Sequence, residues 1–337
     1  MVDYVSIINT MRQRVLYLRT IDQLWIDHST IAVGSNSVTA RCRVMGRDGE
    51  WLVKCYVRKR RNLKAIYKDA YYERELGIFS IMGTIEYADI VLLPWVEGTP
   101  LDRLLGSATT DYSALSRAFD SMALSLLDSE YAHGDVKPEN IIVRADGSMQ
   151  LIDFDGAWLP SMKSCKADEI GTEGYRHPHR EKGYLHKAID DYPICVVSLM
   201  LATLAADRET FAPMLNSDMT LFNPRLAIAR KDRVLLRAAD MFLERRDVAR
   251  YRMARDMQDI FVVISNLRDY LRFAHAKTVE AIPLGAEAVK HRNMWGYKLN
   301  DEWIVPPLYS YISDVSPRYS HAMLRFFEHV IEIPITG

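Results

Sequence analysis

Cysteine is scarce in this chain: four residues in 337, Cys42, Cys55, Cys165 and Cys195, with no Cys-x-x-Cys pair and no Cys/His cluster. That excludes a disulfide frame and a zinc module, and it predicts the reduced thiols of a cytoplasmic protein. An excess of one charge is lacking too. Lysine plus arginine (43) balances aspartate plus glutamate (44), so no overall field favours nucleic acid or an acidic membrane. Long apolar runs are also missing. The longest, "ICVVSLMLATLAA" (194–206), is too short to span a bilayer and predicts a buried core helix. Arg12, Arg14 and Arg19 interrupt the first residues, which leaves no apolar signal-peptide core. No internal repeat or low-complexity tract is present. With 49% hydrophobic and 26% charged residues, the composition is that of a globular protein, long enough for two domains or one large one.

Val5, Ile8, Met11, Val15 and Leu18 recur at helical spacing and predict an opening amphipathic helix. From Thr30 to Arg58 the texture is that of strands, and Asp48-Gly49 marks a hairpin turn between two of them. The basic stretch "VRKRRNLK" that follows reads as a solvated linker. A helix is predicted over 65–82, a strand at "IVLLPW", a breaker at "VEGTP" and a helix over 112–130. "NIIV" and "SMQLIDFDG", joined through "ADGS", predict a second hairpin, and from 185 to 275 almost everything reads as helix. Strands first and helices afterwards predict an α+β architecture, not a doubly wound sheet. Beyond "KTVEAIPLGAEAVKH", whose Pro283 and Gly285 mark a boundary, residues 294–316 are aromatic and β-rich, and "HAMLRFFEHVIEI" supplies two more strands.

The densest chemistry lies at residues 133–143, "HGDVKPENIIV". Asp135, Lys137 and Asn140 crowd a short loop ahead of a strand, and Asp153 lies beside the next strand. A lone Asp-Lys-Asn loop is ordinarily a capped turn. These four together suit phosphoryl transfer, in which the protein positions groups and offsets charge. One aspartate can orient an acceptor hydroxyl and take its proton, and a lysine can steady the transferred group. An asparagine and a second aspartate can hold magnesium, a hard cation that seeks oxygen.

With these residues the chain resembles the eukaryotic-like serine/threonine protein kinases, whose pattern is H-R-D-x-K-P-x-N followed by D-F-G. The resemblance covers about residues 25–275. It implies a bilobal protein-kinase-like fold, with a small β-rich N-lobe (about 25–95) and a helical C-lobe (about 96–275), preceded by a helical extension over 1–24. Asp135 is implied as catalytic base, Lys137 as the phosphoryl-stabilising lysine, and Asn140 and Asp153 as magnesium ligands. ATP would be held by Lys54 of "WLVKCYV", paired with a glutamate on the next helix, for which Glu75 fits better than Glu73. Gly34, Leu52, the Pro94 carbonyl, the Val96 N–H and Ile142 complete the implied nucleotide site. "GTEGYRHPHR" (171–180) resembles the end of an activation segment, with Thr172 supporting the catalytic aspartate. Asp191 matches the buried aspartate that opens the central helix of the larger lobe. A protein substrate follows; nucleic acid and membrane do not.

The pattern is thinner where the nucleotide would lie. "GSNSVT" (34–39) keeps only Gly34 of a glycine-rich loop, Leu52 replaces the alanine over the adenine, and Asp155 replaces the glycine of D-F-G. His179 replaces a glutamate, and Gly134 replaces the arginine that pairs with a phosphate on the activation segment. An active kinase, a nucleotide-binding scaffold and a small-molecule phosphotransferase of the aminoglycoside or choline kinase type therefore stay open. The tail "WGYKLNDEWIVPPLYSYISDVS" resembles one WG repeat, carried by Trp295, Gly296, Pro306, Pro307 and Tyr309. It implies a β module over 286–337 that binds a protein partner, and a β cap on the larger lobe explains the same aromatics equally well.

Overall fold

A computed structural model describes residues 3–13, 15–21, 23–79, 83–162, 169–180, 186–276 and 279–336. The fold is mixed α+β, and the chain divides into two compact units, Met1–Gly98 and Thr99–Gly337.

The first unit opens with helix α1 (Tyr4–Met11), capped by the Asp3 carboxylate accepting the Ser6 N–H. The predicted helix through Leu18 stops there, because Val15–Tyr17 forms strand β1 against β2 (Gln23–Ile26). Its buried face runs through Ile7, Thr10 and Met11, whereas Val5 is 57% exposed. Strands β3 (Ala32–Val33), β4 (Ser37–Val44) and β5 (Trp51–Tyr56) follow, and β4 and β5 form the predicted hairpin. Val38, Ala40, Cys42 and Val44 alternate inward from β4, as do Val53 and Cys55 from β5, and together they bury a core shared with Ile7 and Met11. The basic stretch is largely solvated, with Arg60 and Leu63 buried.

The helix predicted over 65–82 is the main correction in this unit; residues 80–82 of it lie outside the described residues. Only α2 (Leu63–Tyr67) is α-helical, followed by a 3-10 turn (Lys68–Ala70), and Tyr71–Phe79 is strand β6, antiparallel to β7 (Ile85–Pro94). Leu76 and Ile78 point inward at strand spacing, and pairing with β7 outweighs the helix propensity of the glutamate- and leucine-containing segment. The register breaks between Tyr72 and Leu76, where Arg74 turns to φ +51° and donates its N–H to Asp89 at 2.9 Å. Among the described residues the sheet runs β1-β2-β4-β5-β7-β6, with β3 on β4.

The second unit begins with β8 (Thr99–Pro100), α3 (Leu101–Leu104) and α4 (Tyr112–Asp128). The predicted hairpin of β9 (Ile141–Val143) and β10 (Met149–Leu151) follows, completing a three-stranded sheet with β8. Then come α5 (Asp191–Ala206), α6 (Arg208–Phe211), α7 (Pro224–Ile228), α8 (Arg233–Glu244), α9 (Val248–Asp256) and α10 (Leu267–Phe273). Asp111, Asp232 and Asp247 cap α4, α8 and α9 by accepting backbone N–H groups of the first turn. Among the described residues, 187–206 is the one helix long and apolar enough to cross a membrane, and 89% of its apolar window is buried inside the unit. It is apolar all round because protein surrounds it on every side.

The tail supplies β11 (Ile282–Pro283), β12 (Glu287–His291), β13 (Met294–Leu299), β14 (Glu302–Tyr309), β15 (Tyr311–Ile312), β16 (His321–Phe326) and β17 (His329–Thr336). They form two sheets, β12-β13-β14 and β11-β17-β16-β15, and β11 lies upstream of the boundary expected at residue 286. Tyr297, Leu308, Leu324 and Phe326 are buried in one continuous core with α4, α5 and α9. The Arg252 Nε–H donates to the Leu308 carbonyl, Tyr251 Oη lies 3.0 Å from His329 Nε2, and Arg255 pairs with Glu328 at 2.9 Å. Of the two roles left open for the tail, the cap describes this packing.

Deleting residues 286–337 is therefore expected to leave no stable second unit. Each large apolar side chain stripped of cover costs about 1.5–3 kcal/mol, and several together rival a domain's whole margin of about 5–15 kcal/mol. Expression of the truncated chain with thermal unfolding checks this; a soluble product melting at the full-length temperature would contradict it.

Candidate functional site

The loop between α4 and β9 is held from behind before any of its functional side chains are placed. Asp190, buried just ahead of α5, accepts the backbone N–H groups of His133 and, at 2.8 Å, of Gly134. The His133 ring lies against Phe154 with its Nε2 2.8 Å from the Ile152 carbonyl. A carbonyl only accepts, so Nε2 carries the proton, and Nδ1 is left to accept the Asp135 N–H at 3.3 Å. Gly134 has φ +86°, and a Cβ there would meet the Gly156 carbonyl oxygen at 2.0 Å. No side chain fits at that position, so the glycine is a requirement of the close approach.

This frame turns the Asp135 side chain outward, one-fifth exposed, with both oxygens held. Oδ1 accepts the Thr172 N–H at 2.8 Å and the Thr172 hydroxyl at 3.0 Å. Oδ2 lies 3.2 Å from Asn140 Nδ2 and 3.6 Å from Lys137 Nζ, and Nδ2 also donates to the Asp135 carbonyl at 2.9 Å. Lys137 is bracketed on its other side by Glu139 at 3.1 Å. Burial works against the charge on Lys137, but Asp135, the Glu139 hydrogen bond and Asp153 outweigh it and hold the ammonium above the usual lysine range. Asp153 thus stands near enough to act on Lys137. It occupies a left-handed turn (φ +63°) after β10, and the neighbouring Ile152 N–H is fastened to the Asn140 carbonyl at 2.9 Å.

The structure therefore brings Asp135, Lys137, Asn140 and Thr172 together and sets Asp153 beside them. Ile142 is buried on β9, paired with Gln150 and Pro100. The remaining expected residues belong to the first unit. Leu52 and Lys54 project from β5 on the face opposite Val53 and Cys55. Lys54 is buried there, its ammonium 5.5 Å from the Tyr56 ring centre. Gly34 sits in the β3–β4 turn with its N–H on the Ser37 carbonyl at 2.8 Å. Pro94 ends β7, exposed, and Val96 is half-buried just beyond it.

One expectation is corrected. Glu75 lies on β6 and not on a helix, and its Oε1 accepts the Thr20 hydroxyl at 2.8 Å, the Ile21 N–H at 2.9 Å and the Thr20 N–H. It organises the turn before β2. Asp191 is buried at the start of α5, as expected; it accepts the Ile264 N–H at 3.2 Å, and burial pushes its carboxyl up to about 7. The anchor is its neighbour Asp190, which sequence reasoning missed although the Asp-Asp pair ahead of the apolar run signals it. Arg180, whose Nη1 donates to the Gly134 carbonyl at 2.9 Å, was missed as well. Of the segment following Asp153, residues 163–168, including Ser164 and Cys165, lie outside the described residues.

No family model matches the chain, and no curated protein matches it.

Proposed function

We propose that the chain is a phosphotransferase of the protein-kinase type, with the two units as its smaller and larger lobes, moving the γ-phosphoryl group of Mg-ATP to a serine or threonine hydroxyl of a protein. The observation that carries this reading is the Asp135 carboxylate, fixed by Thr172 on one oxygen, flanked by Asn140 and Lys137 on the other, and still open to solvent. A carboxylate so placed can accept the hydrogen bond of an incoming hydroxyl and take its proton as the oxygen attacks phosphorus. Lys137, kept cationic, offsets the charge on the group in transit.

The residues present fit magnesium. Asn140 spends its Nδ2 on Asp135, which leaves Oδ1 as an oxygen donor, and the Asp153 carboxylate would be the second. A hard cation that keeps several waters needs no larger protein cage. Bound there, magnesium would neutralise phosphate charge. In the first unit the kinase resemblance assigns Lys54, Leu52, Pro94 and Val96 to ATP, and in the second it assigns Ile142. A second reading, a nucleotide-binding scaffold without transfer, draws support from Glu75, which is committed to the Thr20–Ile21 turn.

The test is incubation of the purified chain with labelled Mg-ATP, alone and with protein acceptors or small-molecule alcohols, alongside thermal melts. Transfer to serine or threonine, with a melting temperature raised by Mg-ATP, is the expected result. A melting shift without transfer would favour the scaffold. Labelling of small alcohols alone would move the protein to the small-molecule class, and neither shift nor transfer would overturn the proposal.

A further inference from the structure

Arg180 is 7% exposed, an unusual place for a guanidinium. Its Nη1 donates to the Gly134 carbonyl at 2.9 Å, while Nη2 has no hydrogen-bond partner among the described residues. An unmet buried donor costs about 1–3 kcal/mol. Burial lowers the pKa of the guanidinium, and the nearby carboxylates of Asp190 and Asp135 offset only part of that. The same atoms converge on Gly171. A Cβ there would lie 3.0 Å from Arg180 Nη1, 3.1 Å from the Gly134 oxygen and 3.4 Å from Asp135 Oδ1, and the residue has φ +78°. The next residue is Thr172, which makes both hydrogen bonds to Asp135 Oδ1. Gly134 has no room for a side chain, so position 134 offers no basic group to this segment. The segment brings its own.

We propose that Arg180 is a positioning residue for Asp135: it fastens residues 171–180 to the Gly134 carbonyl and so holds Thr172 on the carboxylate, ordering the segment without an added phosphate. This regulation rests on the phosphotransferase reading of the same site, so its test includes a measurement that does not need activity. In the full-length chain, Arg180→Gln is expected to speed amide hydrogen exchange across 171–180 by about tenfold or more, with the rest of the second unit unchanged. The kcat should fall about a hundredfold, as for a displaced catalytic group, and the KM for ATP should stay within about twofold. Phosphatase treatment of the wild type should alter neither exchange nor kcat. If Arg180→Gln fails to fold, Arg180→Lys is measured instead; it keeps the charge without the fork that reaches Gly134, and the same local loosening is expected. Wild-type exchange in the variant, or a segment loosened by phosphatase, would overturn the proposal. A wild type that transfers nothing would sink the phosphotransferase reading, and exchange alone would then decide the role of Arg180.

Discussion

Asp135→Ala is expected to reduce phosphoryl transfer by about 10³-fold while leaving the affinity for Mg-ATP within about twofold of wild type. The contrast follows from placement. On the proposed reading Asp135 meets the acceptor, and the groups of the second unit assigned to the Mg-nucleotide are Asn140 and Asp153. The alanine also releases Thr172 from its two hydrogen bonds, so Asp135→Asn is the cleaner companion. The amide keeps an oxygen for Thr172 but cannot take a proton at neutral pH, and it should lose nearly as much. Single-turnover transfer and equilibrium nucleotide binding, measured on the same preparations, separate the two effects. If either variant keeps more than about a tenth of wild-type transfer, Asp135 is not the base.

The second large effect concerns stability. Inside the second unit Arg250, 1% exposed, pairs with Asp120, 3% exposed, and Ser198 donates to the other Asp120 oxygen. His275 Nε2 stands 2.7 Å from Asp120 and Ser116 Oγ 3.3 Å from Arg250. Removing one charge strands the other, which costs about 3–5 kcal/mol. Arg250→Met is therefore expected to lower stability by about that amount, and Asp120→Leu added to it should recover part of the loss. Burial alone would raise the Asp120 pKa, but the Arg250 charge and the hydrogen bonds from His275 and Ser198 bring it below 3.8. A carboxylate with a depressed folded pKa adds stability above its unfolded value and loses it as pH falls through the folded one. In the wild type this contribution is thus intact at neutral pH and fades only in acid below 3.8. Denaturant melts of the three proteins from neutral pH into acid check both the size and the sign. A single-variant loss under about 1 kcal/mol would contradict the account.

Local patterns made much of this legible. The Asp48-Gly49 turn between β-branched runs specified the β4–β5 hairpin, and an apolar run without a polar face specified a helix enclosed by protein. The loop chemistry was readable because Asp135, Lys137 and Asn140 are close in sequence, so their meeting needs no long-range information. What stayed hidden depends on distant partners. Residues 71–79 contain good helix formers, and only β7 makes them a strand. Glu75 faces inward because the chain kinks at Arg74, and no periodicity reports a single positive φ. Asp190 and Asp191 are adjacent and both buried, and only the fold decides which of them meets the loop. Arg180 reaches a carbonyl 46 residues away from a segment with no regular structure.

Strand β17 has a consequence for the order in which the protein is made. Its Ile335 and Thr336 pair in parallel with Ile282 and Pro283, and its Ile333 enters the core shared with the helices. The first unit, complete at Gly98, can close as soon as it has left the ribosome. The second cannot, because its apolar helices wait for strands that are translated after them. At about 5–20 residues per second that wait lasts for seconds, long compared with helix formation and hydrophobic collapse. During it the apolar surface of α5 is open to whatever is near, so a chain stalled before β17 becomes a client for chaperones and proteases rather than a partly assembled second unit.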